Sequence, residues 1–198
     1  MLKEFKKTFD QKGYFIIKNI FSKNFIESLL LEIDVVKDAN YYYDNKNKLR
    51  RIEKLYDKGE NLKKLNSLIL KKLFDIFEKK FFIFKDKFNA KPPGGNGFFP
   101  HFDGIFEFRD DKNTIKKGWY EYGDFFVNTL IALDDCTKEN GTIEIAKRYD
   151  KNNFDYLINF TKKNGTPELN SNSVKNSTFK KIFLNKGDIV FFSNICPH

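Results

Sequence analysis

The chain has only two histidines, and their neighbours give them a chemistry. His101 stands in Pro100-His101-Phe102-Asp103. His198 is the last residue and follows Gly187-Asp188-Ile189-Val190-Phe191-Phe192. A His-x-Asp pair plus a distant His behind an apolar strand is the ligand inventory of a 2-His-1-carboxylate iron site. Residues i and i+2 of a strand point to the same face, so His101 and Asp103 can reach one metal from adjacent pleats. The third ligand must then come from a facing strand, with Ile195-Cys196-Pro197 carrying the chain round to His198. Two neutral imidazoles and one carboxylate on one face of an octahedron leave three positions open. That suits a bidentate co-substrate plus dioxygen on Fe(II). Each residue also has a plainer reading: His101 as a loop histidine beside an acid, His198 as a chain-end residue with no role. Their conjunction, with β context on both sides, favours the metal site.

The remaining residues with chemical potential have competing readings. Trp119, Tyr120 and Tyr122 could gate a site or pack on a sheet edge. Asp134-Asp135 reads better as a turn after a buried strand than as a metal site. Asp188 reads as turn chemistry. Cys196 reads as a small buried residue rather than a soft ligand.

The elements that must position these groups follow from periodicity. Tyr14 to Ile17 reads as a strand. Ser22 is placed as an N-cap, with Phe21 and Ile26 spaced for a hydrophobic staple. Phe25, Ile26, Leu29, Leu30 and Ile33 predict an amphipathic helix over 23–38, and Leu62, Leu65, Ile69, Leu73 and Ile76 a second over about 60–79. Residues 39–48 are polar and rich in Tyr and Asn. Phe81 to Lys91 has β character, and alternation puts Lys85, Lys87, Asn89 and Lys91 on one face. Pro92 to Gly97 is a turn or loop, Phe98 to Asp103 extended, and 104–123 a candidate active-site loop. Phe125 to Leu133 reads as a buried strand, and Thr142 to Ala146, Phe179 to Leu184 and Asp188 to Phe192 as further strands. Residues 150–178 read as a surface insertion. Two helices followed by many short strands predict an α+β fold built on a β-sandwich or barrel. The long-range ligand pairing favours a double-sheet jelly roll.

At 198 residues, 40% hydrophobic and 32% charged, the chain fits a single soluble domain over 1–198. The net charge is +9, but the lysines are scattered pairs such as Lys71-Lys72 and Lys162-Lys163. A solvated surface explains them better than nucleic acid, which demands basic residues clustered on one face. Two cysteines, Cys136 and Cys196, form no CxxC motif. The N-terminus lacks a signal-peptide apolar region and no apolar run approaches transmembrane length, so a cytoplasmic location is expected.

These residues resemble the phytanoyl-CoA dioxygenase family of Fe(II)/2-oxoglutarate oxygenases over nearly the whole chain. The resemblance rests on four stretches: Lys12 to Ile20 with the helix that follows; Phe84 to Gly95 leading to His101-Phe102-Asp103-Gly104; Ile131-Ala132-Leu133-Asp134-Asp135 through Glu139 to Glu144; and Gly187 to Phe192 through Pro197-His198. It implies a double-stranded β-helix, the cupin-like jelly roll, with flanking N-terminal helices. It implies Fe(II), 2-oxoglutarate and O2, with hydroxylation of a C–H bond of a small or lipid-like substrate and release of succinate and carbon dioxide. By the match, His101, Asp103 and His198 are the iron ligands. Lys87 and Asn89 fall where family members contact the co-substrate, and Leu130 where the co-substrate pocket is lined. The carboxylate of Asp103 favours hydroxylation over the related halogenases, which give it up so that chloride can bind.

Three departures accompany the resemblance. A Gly-Ser-His run common after the Asn-Gly turn is replaced by Ile145-Ala146-Lys147-Arg148-Tyr149. The stretch 104–123 is longer than usual. The family's Arg for the distal carboxylate of 2-oxoglutarate lies beyond residue 198, so the chain is expected to be a member cut short at its C-terminus, lacking the last strand or strands. Two alternatives stay open: a non-catalytic jelly-roll binding module, and a cupin-like metalloenzyme that does not use 2-oxoglutarate. A small-molecule substrate is expected, and lysines near the cleft would favour an anionic one; no nucleic-acid partner is expected.

Overall fold

The computed structural model describes residues 1–94, 97–104, 108–116, 118–148, 158–160 and 167–198. Two compact units emerge: Met1–Lys6 with Asn19–Asn96, and Lys7–Lys18 with Gly97–His198.

In the first unit Ser22 caps helix α2 (Lys23–Val35), its Oγ accepting from the Phe25 amide at 3.2 Å. The staple differs from expectation in its partner. Phe21 stacks on Phe25 at 5.4 Å, one residue before the fully buried Ile26. Helix α3 (Glu60–Phe77) begins at Gly59, which has no side chain to cap it. The Glu32 carboxylate of α2 does so instead, accepting from the Asn61 and Leu62 amides at 3.0 and 2.9 Å. A carboxylate suits exposed N–H groups at the positive end of the helix dipole. A Cβ at Gly59 would meet that carboxylate at 2.2 Å, so a larger residue there would push Glu32 from its capping position.

Strands β2 (Asn40–Tyr43), β3 (Leu49–Glu53) and β4 (Lys87–Asn89) form an antiparallel sheet in that order. The Tyr-rich stretch is therefore half a hairpin, turned by Asp44, whose carboxylate accepts from the Lys46 and Lys48 amides. The strand expected over 81–91 shrinks to three residues because pairing with β3 stops at Glu53–Lys87. Register puts Lys87 and Asn89 on one face with their partners Glu53 and Arg51, as the alternation predicted.

In the second unit β5 (Phe108–Arg109) and β6 (Ile115–Lys116) pair as a short hairpin, and β1 (Tyr14–Ile17), β12 (Ile189–Ser193) and β7 (Val127–Ile131) form an antiparallel sheet with β12 in the middle. Every residue of β12 is buried, as its unbroken apolar run requires; β7, expected to be buried, is a half-buried edge strand. Phe15 and Phe191 stack on one face of this sheet at 5.1 Å. Phe9 of helix α1 (Leu2–Lys12) packs edge-on against Phe15 at 6.0 Å. The charged N-terminal sequence had not indicated this helix.

A second run of hydrogen bonds is built from short pieces. β11 (Lys180–Lys181) pairs with β8 (Glu144–Ile145), and the Ala146 amide donates to the Pro197 carbonyl. His198 and His101 exchange both backbone bonds, at 3.0 and 3.1 Å. His101 in turn bridges to Glu168 of β10 (Pro167–Leu169), which pairs with β9 (Ile158–Phe160). The stretch expected to be a surface insertion, 150–178, thus supplies the strand beside His101, although 150–157 and 161–166 of it lie outside the described residues. Both layers feed one apolar cluster: Val190, Phe192 and partly Leu130 from the sheet, Ile145, Ile182 and Cys196 from the pieces facing it.

Candidate metal centre

Backbone pairing of His101 with His198 brings the two ends of the sequence pattern together. Phe102 is 1% exposed and points inward, so His101 and Asp103 share the opposite face. Among the described residues, His101, Asp103 and His198 form a group whose donor atoms all lie within 4.8 Å of one another. The His101 and His198 rings are 4.4 Å apart, and Phe192 of β12 meets the His198 ring edge-on at 4.9 Å.

The hydrogen bonds settle which nitrogen each ring presents. His101 Nδ1 lies 2.8 Å from the Phe99 carbonyl and His198 Nδ1 lies 3.0 Å from the Cys196 carbonyl. A carbonyl only accepts, so each Nδ1 carries the proton and each Nε2 presents a lone pair. The Nε2 atoms face one carboxylate: His101 Nε2 is 3.9 Å from Asp103 Oδ1, and His198 Nε2 is 3.5 Å from Asp103 Oδ2. Three acceptors thus converge on one point. Protonating both rings would place two cations 4.4 Å apart, whereas one divalent cation satisfies all three at once. Backbone carbonyls that orient ligand imidazoles in this way are the usual support of a metal centre. The donor set of two imidazoles and one carboxylate fits Fe(II).

Asp103 is held from behind. The Asn128 amide of β7 donates to its Oδ2 at 2.9 Å, and the buried Asn194 donates to its carbonyl at 3.4 Å. Asn194 also donates to the Tyr120 hydroxyl at 3.1 Å, and burial raises the pKa of that phenol. Gly104 adopts φ +75°, and a Cβ there would lie 2.2 Å from the Trp119 ring. Trp119 and Tyr120 both pack on Phe126, at 5.4 and 6.0 Å; Tyr122 is exposed.

The other expected site residues divide between the units. Leu130 shares the Asn128 face of β7, packed on the apolar cluster. Lys87 and Asn89 lie in the first unit on the exposed face of β4. Asp188 is fully buried, bonded by the Asn185 amide of its own turn as expected, and also by Lys18 Nζ at 2.8 Å. Asp135 likewise serves a turn, accepting from the Lys186 amide. Asn128 and Asn194 were missed. The signal for Asn128 was an amide two positions before Leu130, on the same face of a mostly apolar run; Asn194 had none.

The family model described as phytanoyl-CoA dioxygenase (PhyH) matches residues 9–198. No curated relative matches the sequence. Among solved structures, the non-heme alpha-ketoglutarate-dependent carbocyclase SnoK from nogalamycin biosynthesis superposes with a TM-score of 0.69 at 13% identity, covering 98% of this chain and 75% of that one. The epimerase SnoN in complex with Fe3+, alpha-ketoglutarate and nogalamycin RO gives 0.67 at 11%, covering 99% and 75%. HygX from Streptomyces hygroscopicus with nickel, 2-oxoglutarate and hygromycin B bound gives 0.64 at 17%, covering 99% and 79%. At these identities the likeness concerns the fold.

Proposed function

Because the chain belongs to the phytanoyl-CoA dioxygenase family, we propose that it is a non-haem Fe(II)- and 2-oxoglutarate-dependent dioxygenase that hydroxylates a C–H bond of a small or lipid-like substrate. The observation that carries this reading is the convergence of two Nε2 lone pairs and one carboxylate, with both Nδ1 atoms committed to backbone carbonyls. His101, Asp103 and His198 hold the iron. For Lys87, Asn89 and Leu130 as co-substrate residues the support is the family resemblance. The two hydrogen-bonded layers of the second unit are the halves of a double-stranded β-helix.

Iron with 2-oxoglutarate and dioxygen couples oxidative decarboxylation of the co-substrate to C–H hydroxylation, yielding succinate and carbon dioxide. This chain's own residues do the rest. The Phe99 and Cys196 carbonyls keep both rings in the ligating tautomer. Phe192 and the apolar cluster beneath His198 keep water from one side of the site. The retained carboxylate of Asp103 favours hydroxylation over halogenation. SnoK and SnoN are a carbocyclase and an epimerase. One fold thus hosts several outcomes, and the ligand set rather than the fold supports this one.

Anaerobic addition of 2-oxoglutarate to the Fe(II)-loaded protein tests the reading. A weak visible charge-transfer band is expected in the wild type and not in His101→Ala. Absence of the band in folded, iron-loaded wild type would refute 2-oxoglutarate use. Lys87→Ala and Asn89→Ala are each expected to weaken 2-oxoglutarate about ten-fold, the loss of one hydrogen bond to a charged group, with iron binding unchanged.

A further inference from the structure

We infer that Asn128 is a positioning residue of the metal centre, fixing the orientation of the Asp103 carboxylate toward the ion. The inference rests on the metal-centre reading above. His101 is bonded on both sides, to His198 and Glu168. The chain then turns at Gly104 with φ +75°, where the Gly104 carbonyl accepts from the Trp119 amide at 2.9 Å. These bonds set the backbone on either side of Asp103, and its carboxylate is set by side-chain partners. A carboxylate also rotates freely about its last bond, a broad two-fold torsion, unless its oxygens are held.

Asn128 supplies that hold. It lies on β7, whose pairing with β12 places Asn128 opposite Phe192, and Phe192 is the residue packed on His198. One cross-strand pair thus carries a contact to each of two ligands. The Asn128 amide must present nitrogen to Asp103, since its oxygen facing a carboxylate would repel. The bond of 2.9 Å engages Oδ2, while Oδ1 is the oxygen 3.9 Å from His101 Nε2. Asparagine suits the task because it donates without bringing charge. A lysine there would neutralise the carboxylate and compete with the metal.

The test is Mn(II) binding, followed by calorimetry and by the Mn(II) EPR spectrum, in wild type, Asn128→Ala, Asn128→Leu and Thr129→Ala. Asn128→Leu keeps the branched shape and removes the amide, so it remains informative if the alanine variant is unstable. Thr129 is next on the strand and faces the other way. Both Asn128 variants are expected to bind Mn(II) ten- to a hundred-fold more weakly, the usual cost of losing an outer partner of a metal ligand. Their EPR line shape should change, while Thr129→Ala binds as wild type does. Unchanged affinity and spectrum in folded Asn128→Leu would overturn the inference and leave the metal centre standing. A wild type that binds no Mn(II) would overturn both.

Discussion

Asp103 and the residue after it show how closely the site depends on single atoms. Gly104 turns the chain at φ +75° with no room for a methyl group, because the Trp119 ring would lie 2.2 Å from it. Gly104→Ala should therefore lose about 2 kcal/mol or more in urea denaturation, from left-handed backbone and overpacking together. Cys196, two residues before His198, is likewise set by its surroundings: burial pushes its thiol up from 9.0 to about 12. The native state keeps this proton where the unfolded chain gives it up. The unfolded state then binds fewer protons, so stability falls as pH rises above about 9. The urea midpoint should drop further between pH 8 and 10.5 in wild type than in Cys196→Ala; equal drops would contradict the account. At this scale the sequence was readable where chemistry is rare. Two histidines and a His-x-Asp spacing left few choices for a metal. Asparagine is common in this chain, so the place of Asn128 in an apolar run was a weak signal, and nothing local distinguishes Asn194 from a surface amide.

Elements were legible where one face is apolar and local chemistry marks an end. Helix α2 announced its start with Ser22, and α3 its stripe with Leu62, Leu65 and Leu73. What caps α3 was not legible, because the cap comes from Glu32, about thirty residues earlier. Glu32→Ala should lower stability by about 1–2 kcal/mol in urea denaturation, the value of a lost N-cap, with no change in Mn(II) affinity. Strands were harder, since their length is decided by the partner. The strand at Lys87 begins no earlier because its partner β3 ends at Glu53. The stretch 150–178 was misjudged for the converse reason: its polar composition hid the strand that pairs with His101.

For the whole molecule, the family was legible because its motifs lie at the ends of strands that tertiary pairing must unite. The pairing itself was not, since His101 and His198 meet through backbone bonds between segments almost a hundred residues apart. The net charge of +9 concerns the surface, and no cluster of arginines accompanies it. A gel shift with duplex DNA at about 150 mM salt should show no retardation. The central claim is that one cation unites the two ends of the sequence pattern, and Mn(II) titration of wild type, His101→Ala, Asp103→Ala and His198→Ala tests it most directly. The account predicts a single saturable equivalent in wild type that is lost in each of the three variants. Equal binding by wild type and any folded variant, or no binding at all, would contradict it.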